Sequence, residues 1–137
     1  MTVDTYETVR SFDSLGVAEP LTKTLADQGI TTAFPIQALT IADALAGRDV
    51  CGKAKTGSGK TLAFGLPLLQ RTAEALDGAE PSGGHPARPN ALVLLPTREL
   101  AVQVHDVMAP LAEAIGLRVA AVYGGADIDR QITRLRK

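Results

Sequence analysis

One cysteine, Cys51, stands in 137 residues, so no intrachain disulfide can close. Its place in an apolar stretch that reads as a buried strand predicts inert packing rather than redox chemistry. The opening Met1-Thr-Val-Asp has neither a basic region nor an apolar core, which argues against a secretory signal. No apolar run approaches the ~20 residues that a helix needs to cross a bilayer. Charge of one sign is not in excess: the net charge is −1, whereas a protein that coats nucleic acid would be clearly basic. A local nucleic-acid site stays open. No stretch has the composition of a long disordered tail, and no internal repeat is present. With 45% hydrophobic residues the chain can build one core but hardly two. The expectation is a soluble α/β domain of a reducing, cytoplasmic compartment.

Against these absences stands residues 54–61, Ala-Lys-Thr-Gly-Ser-Gly-Lys-Thr. The stretch follows the short run from Asp49 to Gly52 and opens into an amphipathic one from Leu62 to Leu76. A glycine-rich turn between a strand and a helix points backbone N–H groups at the positive end of a helix dipole, which makes a cradle for polyanions. Lys60 would reach the β- and γ-phosphates as a point charge, and the Thr61 hydroxyl would ligate the Mg²⁺ that bridges them. Gly57 and Gly59 allow positive φ and close backbone approach. Ala54 departs from the strict pattern, which asks for glycine there. A chance glycine-rich turn is the alternative. The strand before, the helix after and the Gly-Lys-Thr core favour the phosphate loop.

The rest of the chain alternates helix and strand. Leu21 and Leu25 sit one helical turn apart, with Gly29 placed to end that helix. Pro35 suits a first turn, and Ile36, Leu39, Ala42 and Leu45 recur at helical spacing up to Gly47. Pro67 should kink or shorten the helix after the phosphate loop. Residues 77–90 are turn formers and read as an exposed connection, with His85 a solvated loop residue. Ala91 to Leu95 is a continuous apolar run, as expected of a strand buried on both faces of a parallel sheet. Thr97 can cap the next helix, and Glu99 suits its dipole. Leu100, Val104, Met108, Leu111 and Ile115 mark one core face, with a bend at Pro110. Arg118 to Tyr123 reads as a third strand ending at Gly124-Gly125. A polar segment then carries Arg130, Arg134 and Lys137 at one-turn spacings, more simply a solvated face than a nucleic-acid patch. Three strands with helical crossovers predict a parallel sheet with helices on both faces, whose ligands bind at the strands' carboxyl ends.

Four short motifs in this order resemble the DEAD-box family of ATP-dependent RNA helicases over nearly the whole chain. Phe12, seventeen residues before Gly29-Ile-Thr-Thr-Ala-Phe-Pro-Ile-Gln37, is similar to the family's Q motif. Ala54 to Thr61 is similar to motif I, where alanine at the first position is usual. Pro96-Thr97-Arg98-Glu99-Leu-Ala resembles motif Ia, and Gly124-Gly125 the GG element. The resemblance implies a P-loop NTPase fold, a RecA-like sheet that is incomplete here: residues 1–137 as a partial N-terminal RecA-like domain, with a Q-motif region over 1–47 and the P-loop, motif Ia and GG over 48–137. It implies ATP and Mg²⁺ as cofactors, held by Phe12, Ile30, Gln37, Thr56, Gly57, Ser58, Gly59, Lys60 and Thr61. Lys60 and Thr61 are the residues nearest the chemistry, with Thr61 toward the metal. It implies RNA as partner, gripped by sugar and phosphate at Pro96, Thr97, Arg98, Glu99, Gly124 and Gly125.

The chemistry of each is intelligible by itself. The Gln37 carboxamide can accept from the adenine N6 amine and donate to N7, a contact worth ~1–3 kcal/mol that guanine cannot satisfy; a helix-surface amide is the alternative. Phe12 packs either against the base or in the core. Thr97 and Arg98 offer a hydroxyl, N–H groups and a guanidinium to a phosphodiester, or form a helix cap with a surface arginine. Gly124 and Gly125 admit an RNA backbone or simply turn the chain.

Ala33 stands where the Q motif often has proline, and Ile30 where it often has an aromatic, which implies apolar contact with the base rather than stacking. The sequence carries no Asp-Glu-Ala-Asp motif, no Ser-Ala-Thr motif and no second RecA-like domain with its arginine finger. Loss of such a finger costs about 10³–10⁵ in phosphoryl-transfer rate. The expectation is a truncated helicase sequence that alone neither hydrolyses ATP at a useful rate nor unwinds RNA. A non-catalytic nucleotide- or RNA-binding module and a different P-loop NTPase are the alternatives.

Overall fold

In the computed structural model, residues 9–78 and 88–136 are described. Five helices carry the fold: α1 (Glu19–Asp27), α2 (Pro35–Leu45), α3 (Lys60–Leu76), α4 (Arg98–Ala114) and α5 (Ile128–Leu135). Both early helices end as their glycines predict. Gly29 takes φ 79°, and the Ile30 N–H reaches back to Leu25 O at 2.9 Å, closing α1. Gly47 does the same for α2 at φ 85°, with the Arg48 N–H on Asp43 O at 3.1 Å.

The core lies between the helices. Leu21 and Leu25 of α1, Ile41 of α2, Leu62, Leu66 and Leu69 of α3, and Val104, Met108 and Leu111 of α4 bury their side chains in one cluster with Phe12, Leu15 and Val17. The predicted α4 stripe is therefore core, with Leu100 and Ile115 packed at its edge. Gly65 lets α3 and α4 approach, because a Cβ there would stand 3.4 Å from Met108 Cγ. Pro67 is buried inside α3 and does not shorten it; the helix runs on to Leu76. Pro110 likewise lies inside α4.

The predicted strands differ from expectation. Among the described residues no ladder joins 49–52, 91–95 and 118–123; the one bridge is antiparallel, between Ser11 and Thr32. Burial sorts the apolar run by face. Leu95, Leu117 and Val119 pack against the helical core, whereas Leu92 and Leu94 are 75% and 83% exposed. Residues 91–95 are thus covered on one face, not on both. Cys51, expected to be buried, is exposed for the same reason. Parallel neighbours need not be consecutive in sequence, and three extended segments without a strand between them leave their N–H and C=O groups unladdered.

The N-terminal segment is strapped to the chain before α2 by the Ser11–Thr32 bridge and by Ala33 N–H donating to Arg10 O at 2.8 Å. Helix α3 holds the same region from the other side. Gln70 accepts from the Ala18 N–H at 2.9 Å and donates to Gly16 O at 3.1 Å. Arg71 donates to Leu45 O at 3.1 Å, over the end of α2. The helix that begins at the glycine-rich turn is thereby tied to everything upstream. His85 and the middle of the 77–90 connection lie outside the described residues.

Candidate functional site

The turn at 54–61 is held open by two glycines in the left-handed region, Gly57 at φ 78° and Gly59 at φ 81°. Gly59 is the N-cap of α3, so Lys60 and Thr61 occupy its first turn, where unpaired N–H groups and the dipole favour an anion. Lys60 Nζ donates to Ala54 O at 2.7 Å, closing the loop on itself. Ser58 Oγ is buried with no hydrogen-bond partner among the described residues. Lys53, Lys55 and Lys60 bring three cations to this turn, and among the described residues none pairs with a carboxylate. A self-bonded ammonium, an orphaned hydroxyl and open space at Gly57, where a Cβ would meet nothing within 4 Å, fit a polyphosphate. Thr56 lies exposed on the turn, and Thr61 is half-buried on α3.

Gln37 is 2% exposed on α2. Its Oε1 accepts from the Phe34 N–H at 2.8 Å, and its Nε2 donates to Gly59 O at 3.0 Å. One Nε2 hydrogen and one Oε1 lone pair remain. The carboxamide is thus no helix-surface amide; it pins the start of α2 to the cap of α3. Between them lies a cleft of about 360 Å³, walled by Phe34, Pro35, Ile36 and Leu39 on one side and Lys53, Ala54, Gly57 and Ser58 on the other.

Phe12 and Ile30 do not line that cleft. Phe12 is a core aromatic at 2% exposure, Ile30 packs against the same core, and both border a separate hollow of about 290 Å³ that also touches Lys23 and Thr31. Phe34 and Lys53 are the residues that sequence reasoning missed at the phosphate turn. Phe34 lies inside the Q-motif stretch, but no spacing rule marks it as a wall.

At the other site, Thr97 caps α4: its Oγ1 accepts from the Leu100 N–H at 3.1 Å. Arg98 is exposed beside Glu99, Nη2 to Oε1 3.7 Å. Gly125 takes φ 77°, and a Cβ there would come within 3.0 Å of Arg98 Nη1. The fold therefore brings Pro96–Glu99 against Gly124-Gly125, far apart in sequence. Among the described residues no hydrogen bond or ion pair joins this pair of turns to the 54–61 turn. Arg130 and Arg134 are exposed on α5, and Lys137 lies outside the described residues.

Comparison with known proteins assigns a family. A model of the DEAD/DEAH box helicase family fits residues 34–137. The chain belongs to that family. It is 41% identical over 128 residues to the ATP-dependent RNA helicase RhlB of Sodalis glossinidius, covering 93% of this chain and 30% of that protein. To the DEAD-box ATP-dependent RNA helicase CshA of Bacillus cereus it is 40% identical over 127 residues, covering 93% of this chain and 22% of that one. Among solved structures, the RNA helicase Prp28 of Chaetomium thermophilum bound to ADP superposes with a TM-score of 0.76 at 35% identity, over 93% of this chain and 30% of that one. A DEAD box protein of Methanococcus jannaschii gives 0.69 at 29% identity, over 92% and 32%. The chain thus spans about 30% of the length of the RhlB relative it matches. No described helix is long and apolar enough to cross a membrane.

Proposed function

We propose that this chain is the ATP-binding and RNA-gripping part of an ATP-dependent RNA helicase, an N-terminal RecA-like unit comprising a Q-motif region over 1–47 and the P-loop, motif Ia and GG over 48–137. The fold we propose is a parallel sheet built from the three extended segments, in register with strands beyond those described here; their one-sided burial and the likeness to solved DEAD-box structures support it. The observation that carries the reading is the turn at 54–61, with its three lysines, its orphaned Ser58 hydroxyl and its self-bonded Lys60.

Exchanging the Ala54 carbonyl for a phosphate oxygen replaces a neutral acceptor of the Lys60 ammonium by a charged one, making the contact an ion pair. Backbone N–H groups of Gly57 to Thr61 and the Ser58 hydroxyl complete the cradle, with Thr56 at its mouth. Thr61 would ligate the Mg²⁺ that accompanies ATP, and that ion would supply charge neutralisation to the phosphates. Gln37 stands where a purine edge and the loop can be sensed together: any turn of its carboxamide toward a base loosens the bond to Gly59 O. Phe12 and Ile30 support that segment from the core side. Pro96, Thr97, Arg98 and Glu99 with Gly124 and Gly125 hold the RNA sugar-phosphate backbone, and the compartment we propose is the cytoplasm.

The test is ligand-linked stability. Mg-ATP at 100 times its dissociation constant should stabilise the chain by about 2.7 kcal/mol, seen as a higher Tm and slower proteolysis. Lys60→Ala should abolish the effect while leaving the unliganded Tm within a few degrees, since Lys60 is exposed. No protection of the parent chain by ATP would sink the reading.

A further inference from the structure

The RNA grip proposed above depends on the shape of the Gly124-Gly125 turn, and one side chain controls that shape. Gln131 is buried to 7% exposure in α5, a helix otherwise solvated and marked by Arg130 and Arg134. Its Oε1 accepts from the Tyr123 N–H at 2.9 Å and its Nε2 donates to Tyr123 O at 3.1 Å. Both polar groups of one backbone residue are thus satisfied by one side chain, as a neighbouring strand would satisfy them. On the other side, Asp127 caps α5, its Oδ1 accepting from the Asp129 and Arg130 N–H groups at 2.9 and 3.1 Å. Only Gly124, Gly125 and Ala126 lie between these anchors. Gly125, at φ 77°, stands against the Arg98 guanidinium, and a Cβ there would come 3.0 Å from Nη1 and push the exposed guanidinium aside.

We infer that Gln131 is a positioning residue for RNA: by clamping the Tyr123 backbone it fixes the glycine turn against Arg98, so that a phosphodiester meets a preformed arginine-and-amide seat. Nothing in the sequence separates this glutamine from the polar residues around it. Its burial amid an exposed helix and its paired bonds to a single residue identify it. The inference rests on the RNA reading of Arg98 and the glycine turn.

The experiment measures binding of a fluorescein-labelled oligouridylate by anisotropy, with a fluorescent ATP analogue as the control ligand. Gln131→Ala should weaken RNA binding roughly tenfold, the scale of losing a hydrogen-bonded pair that preorganises a site, and leave analogue binding within about twofold. Gln131→Glu supplies a readout that simple loss of packing would not give. Protonated, its carboxyl can accept from Tyr123 N–H and donate to Tyr123 O; ionised, it cannot donate. Its RNA affinity should therefore rise toward that of the parent as pH is lowered from about 8 to about 5, because burial beside a carbonyl lifts a glutamic acid above its usual range. The ionisable neighbours are Asp127, Asp129, Arg130 and Arg134 along the helix, the Tyr123 phenol, and Arg98 beyond the turn. The parent carries all of them, so its own profile subtracts their effect.

Should Gln131→Ala fail to fold, the Gln131→Glu profile decides. Parent-like RNA affinity in Gln131→Ala, or a Gln131→Glu profile parallel to the parent's, overturns the role of Gln131. A parent that binds no RNA, or an Arg98→Ala variant that binds it undiminished, overturns the RNA reading itself and the positioning role with it.

Discussion

The Gln37 carboxamide and the Gly59 carbonyl lie 3.0 Å apart, and that bond closes a loop of chain between the start of α2 and the cap of α3. The other end of the same carboxamide takes the Phe34 N–H. Gln37 is therefore buried between two backbone groups: the Phe34 N–H, and a Gly59 carbonyl that also accepts from the Ala63 N–H at 3.2 Å. The P-loop and the Q-motif segment behave as one unit because a single side chain bridges them.

Gln37→Ala should accordingly have two separable effects. Stability should fall by about 1 kcal/mol, read as a shifted urea midpoint, because the Phe34 N–H loses its acceptor while Gly59 O keeps the Ala63 N–H. Preference for ATP over GTP, expected at roughly 5- to 150-fold in the parent from one bidentate base contact, should vanish. Equal binding of both nucleotides by the parent would refute the base-reading half.

Two glycines of the P-loop should respond differently to alanine. At Gly59 a Cβ would stand 2.3 Å from Gln37 Nε2 and 2.8 Å from Phe34 Cδ2, so Gly59→Ala must displace the buried bridge as well as strain a positive φ. At Gly57 a Cβ meets nothing within 4 Å, and only the conformational term of ~1–2 kcal/mol applies. Chemical denaturation should show Gly59→Ala losing at least about 1 kcal/mol more than Gly57→Ala. Equal losses would mean that the Gln37 bridge gives way at no cost.

The Asp13 carboxyl, near the N-terminal strap, is held below its ordinary 3.8, chiefly by a hydrogen bond from the Ser11 side chain, with the Asp13 and Ser14 amides assisting against a small burial effect. A depressed folded value stabilises the fold above the unfolded pKa, and that contribution is lost as pH falls through the folded one. The window is therefore acidic, below about pH 4, and neutral stability is unaffected by small pH changes. Carboxyl NMR should follow Asp13 titrating low in the parent and returning toward 3.8 in Ser11→Ala. An unchanged midpoint in that variant would rule out the serine as the cause.

Local rules carried well wherever a decision was local. Gly29 and Gly47 end their helices, Thr97 caps α4 through Leu100 N–H, and the stripe from Val104 to Leu111 is core, because capping and helical periodicity involve residues a few positions apart. The turn at 54–61 was legible for the same reason: its two positive-φ glycines and the helix start at Lys60 lie within one contiguous stretch.

What the residues alone could not disclose was set by long-range partners. The apolar composition of 91–95 was the same whether one face or two would be covered, and only packing showed Leu92 and Leu94 bare. Phe12 carried either meaning until the helices closed over it. Gln37, Gln70 and Gln131 look alike in a row of letters, yet each is committed to backbone groups that folding brings alongside, on Phe34 and Gly59, on Gly16 and Ala18, and on Tyr123. A carboxamide offers the same donor and acceptor everywhere, so its role follows from which unpaired N–H and C=O the tertiary structure places within 3 Å or so of it.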